Sequence, residues 1–532
     1  MTITLTSLPN ELIIGIFKYL NHADLYTQSK TCRTFHFVTL HILFQRHFNG
    51  FPSHKLDLDL DVAVSHSLLP ALQSALFIDG DIHHIHIIFA TDVSLLFYHI
   101  RVLTRLVKRL KSVTSLHLFL SRLRDSYIVQ NRQAIPTFDV ERLAGALQKL
   151  MHAAFSKGCN DLTFSTESVL EPARGRNPRR KLTHRLSGLV LRPKMALKSF
   201  GSAGAGVASC HSACIVADLL FQPCFLDWTL YFLNHGHLTT LIFRWSGFSW
   251  FSLRDILPKI HVPRLECFTY IGWMGPFRDL ISFAQRHSKT ITSITLNTTC
   301  PDYLDLLTPA LSGLGKSTKL QLDFPKLRHI ELPSPYFPWF FSAVTSNPQR
   351  GALRCLPNLA HITILVRSLP LAGGQVVDLG SELAYVSQLV RRGTGSTQRP
   401  NDWLSSLTFD LSGIELTPSF VAWCQSSSSD PSTSHILHLL KNMSIKNFAT
   451  TPKSAHVEEE MFQALPNFLT LFPNLTTFHL SSVEVNSLRK RLVDSSYWRE
   501  VSQQHPALEV VKFNDALEVN MVDLVGGRLI VL

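Results

Sequence analysis

"PNLAHITI", residues 357–364, reads as a turn followed by a strand. Its apolar residues Leu359, Ile362 and Ile364 fall in the pattern Φ-x-x-Φ-x-Φ, where Φ is apolar. The last two lie two apart, so in an extended chain they share one face and the residue between them faces outward. The proline two residues before the first leucine ends what precedes it and fixes the chain as it enters the strand.

The pattern recurs along the chain. It is found in "HLTTLIF" (237–243), "RLECFTY" (264–270), "TITSITL" (290–296), "KLRHIEL" (326–332), "WLSSLTF" (403–409), "LKNMSI" (440–445), "NLTTFHL" (474–480) and "ALEVVKF" (507–513). Its first positions are Leu238, Leu265, Ile291, Leu327, Leu359, Leu404, Leu440, Leu475 and Leu508, at intervals of 26 to 45 residues. Pro263, Pro325, Pro357, Pro473 and Pro506 each stand two residues ahead of one of them. Helical stretches fill the gaps, as in "SLRKRLVDSSYWREVSQQ" before Pro506. Fainter copies lie earlier, in "IHHIHI" (82–87), "VTSLHLF" (113–119) and "CNDLTF" (159–164). A chain that repeats one strand and one helical segment predicts an α/β solenoid with a parallel sheet on one face, a surface suited to holding another protein.

Composition agrees with a large folded core. Apolar residues make up 45% of the 532 and charged residues 17%, too apolar a balance for wholesale disorder. Nine cysteines, odd in number and irregular in spacing, form no disulfide framework and predict a reduced chain in the cytosol or nucleus. The net charge of +12 is mild over this length and does not by itself predict a nucleic-acid surface. The most apolar stretch, "IVADLLFQPCFLDWTLYFL", is broken by Asp218 and Asp227, so no membrane span is expected.

The N-terminus differs from the rest. In "LPNELIIGIFKYL" (8–20), Leu8, Leu12, Ile13, Ile16, Phe17 and Leu20 form one wide helical stripe. Pro9 suits a first helical turn, and Glu11 favours the positive helix end. Asn21 and Asp24 are candidate caps for a second helix, and "RTFHFVTLHILFQRHF" supplies a third with Phe35, Val38, Ile42 and Phe48 on its buried side. Three short helices make a small core and leave apolar surface for something else to cover.

"LPNELIIGIFKYLNHADLYTQSKTCRTFHFV" resembles an F-box. The matching positions are Leu8-Pro9, Glu11-Leu12, Ile16-Phe17, Leu20, Asp24-Leu25 and Cys32-Arg33, with Phe35 where the family usually has tryptophan or another aromatic. The resemblance implies docking on a Skp-type adaptor, and through it on a cullin scaffold and a ubiquitin-conjugating enzyme. Leu8, Pro9, Glu11, Leu12, Ile16, Phe17, Leu20, Asp24, Leu25, Cys32 and Phe35 would form that site, Cys32 and Phe35 by building the module. The later segments resemble the divergent leucine-rich repeats that commonly follow an F-box, without the usual asparagine after the strand.

The expected organisation is an F-box at 1–50, an irregular N-terminal part of the repeat domain at 51–235, and a leucine-rich-repeat-like solenoid at 236–532. A basic, turn-rich insert, "PARGRNPRRKLTHR" (172–185), and a flexible "QSSSSDPSTS" (425–434) interrupt it. Arg244, Trp245, Trp250 and Tyr270 are candidate target contacts, because aromatic residues and arginine dominate interface hot spots. No cofactor or metal is expected. "GLGKST" (313–318) has Ala310 where a phosphate loop needs its first glycine. "CHSAC" (210–214) lacks a second ligand pair for zinc. His84 and His86 of "DIHHIHIIF" share a strand face and read as solvent-facing. The expected function is that of a non-catalytic target-recognition subunit of an SCF-type ubiquitin ligase. A non-degradative scaffold and a nucleic-acid-binding repeat protein are the alternatives.

Overall fold

The structure, a computed structural model, describes residues 8–120, 140–165, 210–216, 223–245, 256–272, 277–298, 322–337, 340, 355–365, 404–410, 440–446, 465–481, 495–513 and 517–520, except 49, 51, 53, 61, 63–64, 76–81, 90–92 and 471. The sequence readings at Trp250, 172–185, 313–318 and 425–434 lie outside these residues. The chain divides into two compact units, Met1–Leu265 and Glu266–Leu532.

The first unit begins with three helices, α1 (Asn10–Phe17), α2 (His22–Gln28) and α3 (Arg33–Phe48). Strands and helices follow: β1 (His54–Asp59), α4 (Ser65–Ser74), β2 (Ile82–Ile88), α5 (Val93–Arg109), β3 (Ser115–Phe119), α6 (Val140–Phe155), β4 (Asp161–Ser165), β5 (Ser212–Val216), α7 (Pro223–His235) and β6 (Thr240–Trp245). From β1 to β6 each strand pairs in parallel with the next. Parallel neighbours need a crossover between them, which α4, α5, α6 and α7 supply.

The second unit holds β7 (Cys267–Gly272), α8 (Phe277–Arg286), β8 (Ser293–Thr298), β9 (His329–Pro333), β10 (His361–Leu365), β11 (Ser406–Asp410), β12 (Asn442–Lys446), β13 (Thr477–Leu480), α9 (Ser495–Gln504), β14 (Val510–Phe513) and β15 (Leu517–Asn520). Its strands are also parallel in sequence order, until β15 turns back antiparallel on β14.

The repeated pattern accounts for the strands of both units. All nine first-position residues, from Leu238 to Leu508, are buried at 4% exposure or less. The second and third positions are buried too, at 2% or less, in every described case. The strands pair in phase, so equivalent residues stack. Ile330, Ile362, Leu407, Met443, Phe478 and Val511 form one apolar column, each opposite the next. The fainter copies behave alike, with Ile82, Val113 and Cys159 in the first position, all 1% exposed or less.

The prolines sit in turns. The residue before each proline (Val262, Phe324, Leu356, Phe472 or His505) accepts through its carbonyl the N–H of the first-position leucine, at 3.0–3.3 Å. This is a β-turn with proline at its second position, where its fixed φ is pre-set. One residue further on, a single carbonyl receives two successive N–H groups of the next unit. Thr292 O accepts from Arg328 and His329, Arg328 O from Ala360 and His361, and Lys441 O from Thr476 and Thr477.

One copy escaped the sequence reading. Cys210, Ala213 and Ile215 occupy the three apolar positions around β5 and are buried at 3% or less. Burial raises the Cys210 thiol above its ordinary range and pushes that of Cys159, in the same position, up to about 12. Each Sγ donates to a carbonyl two residues on, at 3.3 Å. Cys210 is therefore a core residue, while Cys214 lies half-buried on the outward face.

Tyr270 corrects an expectation. It is fully buried rather than displayed for a target, because it is the last apolar position of its own segment. Its ring folds over Gly272, the next residue on that face, and a Cβ there would meet the ring inside van der Waals contact. Gly272→Ala should therefore destabilise the protein by about 1–3 kcal/mol through overpacking. A thermal melt checks this, and an unchanged midpoint would mean the ring has room to move.

Candidate functional site

Helix α1 opens after Pro9, whose carbonyl accepts the N–H groups of Leu12 and Ile13. Pro9 thus stands one residue before the first turn, at the N-cap. The single apolar stripe expected here is two faces. Ile13 and Phe17, four apart, are 0% and 2% exposed and point into the module. Leu12, Ile16 and Tyr19 follow one another at i, i+4 and i+7 on the surface, with exposures of 56%, 45% and 92%. Glu11 and Pro9 are exposed beside them, and Leu8 and Leu20 are half-buried.

The interior is a small aromatic and aliphatic cluster. Phe17 meets Phe35 of α3 edge-on, with ring centroids 4.9 Å apart. Leu25 of α2 is fully buried, as are Leu40, Leu43 and Phe44 of α3. The expected face of α3 is shifted: Phe35 and Ile42 are buried, but Val38 and Phe48 are only partly covered, and Thr39 and Leu40 complete the face. Asn21 caps α2, accepting the Asp24 N–H at 2.9 Å, while its amide donates to the Asp24 carboxylate at 2.7 Å. Asp24 therefore works within the cap. Cys32 is half-buried and supplies the carbonyl that accepts the His36 N–H at the head of α3.

Of the eleven residues expected to form the site, Phe17, Leu25 and Phe35 are interior, and Leu12 and Ile16 present the apolar surface. Two contributors were not anticipated. Tyr19 extends the exposed stripe by one step. Arg46, at the far end of α3, donates from Nη1 to the Leu20 carbonyl at 2.8 Å and from Nη2 to the Lys18 carbonyl. It thereby satisfies carbonyls left open where α1 ends. Burial, and after it the Arg46 charge, holds His22 below its ordinary pKa; burial, then His22 and Arg46, does the same for His47, and the two rings lie 4.5 Å apart.

The module is seated on the first strand–helix unit, with α4 packed against both α2 and α3. Next to this seat, His66 of α4 and His99 of α5 face each other at 5.4 Å. His99 is fully buried, and neither of its ring nitrogens has a hydrogen-bond partner. Burial, and secondarily His66, lowers its pKa to about 4.

Of the expected target contacts, Arg244 is exposed at the end of β6. Trp245 closes the same strand, and its side chain lies outside the described residues, as does all of Trp250. The outward face of β1–β4 carries paired polar groups. His86 lies 3.1 Å from Asp57, His84 2.8 Å from Ser115, and His117 3.2 Å from Asp161, whose carboxyl His117 holds below its ordinary range. His84 is exposed as expected and His86 is half-buried. Among the described residues no cluster of three or more histidine, cysteine, aspartate or glutamate side chains could hold a metal. Among them, too, no helix is long and apolar enough to cross a membrane.

Two outcomes test this geometry. Arg46→Ala should lower stability by about 1–2 kcal/mol, the scale of charged hydrogen bonds at a partly wet site, as read by chemical denaturation. His99 binds no proton when folded between about pH 6.5 and 4, whereas the unfolded chain does. Its contribution is therefore intact above 6.5 and lost as pH falls towards 4. His99→Phe should reduce the drop in melting temperature between pH 7 and pH 5 relative to wild type.

No curated protein matches the chain. A family model described as F-box-like matches residues 5–49, the segment that forms α1, α2 and α3, so the chain carries an F-box-like domain at its N-terminal end.

Proposed function

We propose that the protein is the substrate-recognition subunit of an SCF-type ubiquitin ligase. The F-box-like helices bind a Skp-type adaptor, and the adaptor links to the cullin scaffold. The repeat units hold a target protein, in the cytosol or nucleus. The reading rests on one observation above the others: α1 buries Ile13 and Phe17 and leaves Leu12 and Ile16 uncovered on an adjacent face, which Tyr19 extends in the turn after the helix. An apolar face left open on so short a helix marks an interaction surface, and Tyr is among the residues enriched at binding hot spots.

Leu8, Pro9, Glu11 and Leu20 flank that stripe, while Phe17, Leu25 and Phe35 keep the three helices in register beneath it. In this reading the chain supplies no chemistry. Its parallel sheets display outward residues, Arg244 among them, on strands whose positions are fixed by pairing, and Trp245 and Trp250 adjoin that site in sequence. Catalysis comes from proximity: a lysine of the bound target is kept near the charged conjugating enzyme, which raises its effective concentration.

The test is co-purification with a Skp-type adaptor. Leu12→Asp/Ile16→Asp changes only surface positions, so the circular dichroism melt should be retained while adaptor binding weakens by at least about a hundredfold, as for a hot-spot pair. A well-folded wild type that binds no adaptor would refute the proposal. Adaptor binding with target half-lives unchanged after knockdown would instead mark a non-degradative scaffold.

A further inference from the structure

The two faces of the first unit carry charge differently. On the outward side of the sheet signs are mixed and paired, Asp57 with Lys55 and His86, and Asp161 with His117. The helical side is of one sign. Every exposed described residue of α5 is a tyrosine or a cation, namely Tyr98, Arg101, Arg105, Lys108 and Arg109, and those of α6 are Arg142, Lys149 and His152. Arg109 is occupied, donating to the Gln73 and Ala75 carbonyls. Arg101, Arg105 and Lys108 have no carboxylate partner among the described residues.

A merely solvated helix face does not need this arrangement. Arg101 and Arg105 are like charges at i, i+4, and Arg105 and Lys108 at i, i+3, spacings that cost a helix a few tenths of a kcal/mol per pair. An ordinary surface helix mixes signs at such positions. Helix α9 of the second unit does so, with Arg499 and Glu500 exposed side by side. The α5 row runs about 15 Å from Tyr98 to Lys108 at 1.5 Å per residue. Tyr98 stands at its head; burial and then Tyr26 of α2 raise its phenol pKa, against the opposing charges of Arg105 and of Lys30, just past the end of α2.

We infer that the α5–α6 helical face, centred on Arg101, Arg105 and Lys108, docks an acidic segment of a partner protein. The charge row specifies the sign of the ligand. Its dimensions specify an extended or helical peptide: alternate side chains of a strand recur at about 6.6 Å and successive turns of a helix at about 5.4 Å, against about 6 Å between Arg101 and Arg105. Single-stranded nucleic acid is the poorer fit, since it needs a succession of aromatic platforms for stacked bases. Among the exposed described residues of α5 and α6, Tyr98 is the one aromatic other than His152.

The experiment uses the full chain and three fluorescent probes: a deca-glutamate peptide, a ten-nucleotide RNA of mixed sequence, and vesicles containing phosphatidylserine. Binding is compared between Arg101→Glu/Arg105→Glu/Lys108→Glu and a charge-matched control in the second unit, Lys289→Glu/Lys326→Glu/Arg328→Glu. The proposal expects the peptide to bind more tightly than the RNA or the vesicles. It expects the α5 variant to lose about tenfold or more in affinity for the peptide while the control loses much less. Equal loss in both variants would overturn it, because the attraction would then be the diffuse field of a basic protein. Tighter binding of RNA or vesicles through the same residues would overturn the choice of partner. Arg101→Gln/Arg105→Gln/Lys108→Gln removes the like-charge contacts and should melt no lower than wild type, so its loss of peptide binding cannot be assigned to unfolding.

Discussion

Most of the strands, among them β4, β5, β6, β8, β9, β10, β12, β13 and β14, are tied to the one before by a single backbone carbonyl that receives two successive N–H groups, just as the chain turns into the sheet. This junction sets the register, and the rest of the architecture depends on register being kept. A slip of one residue would send every inward side chain to the solvent face. With register fixed, three apolar residues per unit suffice: one beneath the turn and two on the strand. The proline turn prepares the junction, presenting the first leucine N–H to a carbonyl within its own unit and leaving the next carbonyl free for the neighbour.

The three-helix module obeys a different constraint. Its interior is a few side chains around Phe17, Leu25 and Phe35, too few to stabilise a free-standing domain. It draws on three supports: the Arg46 bridge to the chain between α1 and α2, the Asn21 cap, and the seat on α4. Held in this way, α1 can afford an uncovered apolar side, which a free helix of eight residues could not keep ordered. The same seat brings α2 within electrostatic reach of α5, since Tyr26 and Lys30 both act on the Tyr98 phenol.

Much of the fold was legible because it is written in burial. Φ-x-x-Φ-x-Φ fixes which residues are inside, and the prolines mark where each strand begins. Where the reading failed, it set that pattern aside. Tyr270 was taken as a contact for its aromatic ring although its place in the segment already sent it inward. Cys210 drew notice only as ligand chemistry, and Ala213 drew none, because small side chains give a weak hydrophobic signal. At the N-terminus a helical period located α1 but could not divide its stripe, since a side that faces a core and a side that awaits a partner look the same in sequence. Arg46 was beyond reach for another reason: it acts on carbonyls 26 and 28 residues away, and backbone acceptors leave no trace in the residue code.

The order of the strands has a consequence for how the chain acquires its structure. Within each unit every parallel strand pairs with those next to it in sequence, so no pairing waits for a distant part of the polypeptide. Loop-closure entropy rises only slowly with length, and here each closure spans one crossover. Such a chain has low contact order for a β-rich protein and can build its sheets progressively, each finished strand templating the next. A nascent chain leaving the ribosome N-terminus first would complete the F-box-like module and its seat before the later strands exist.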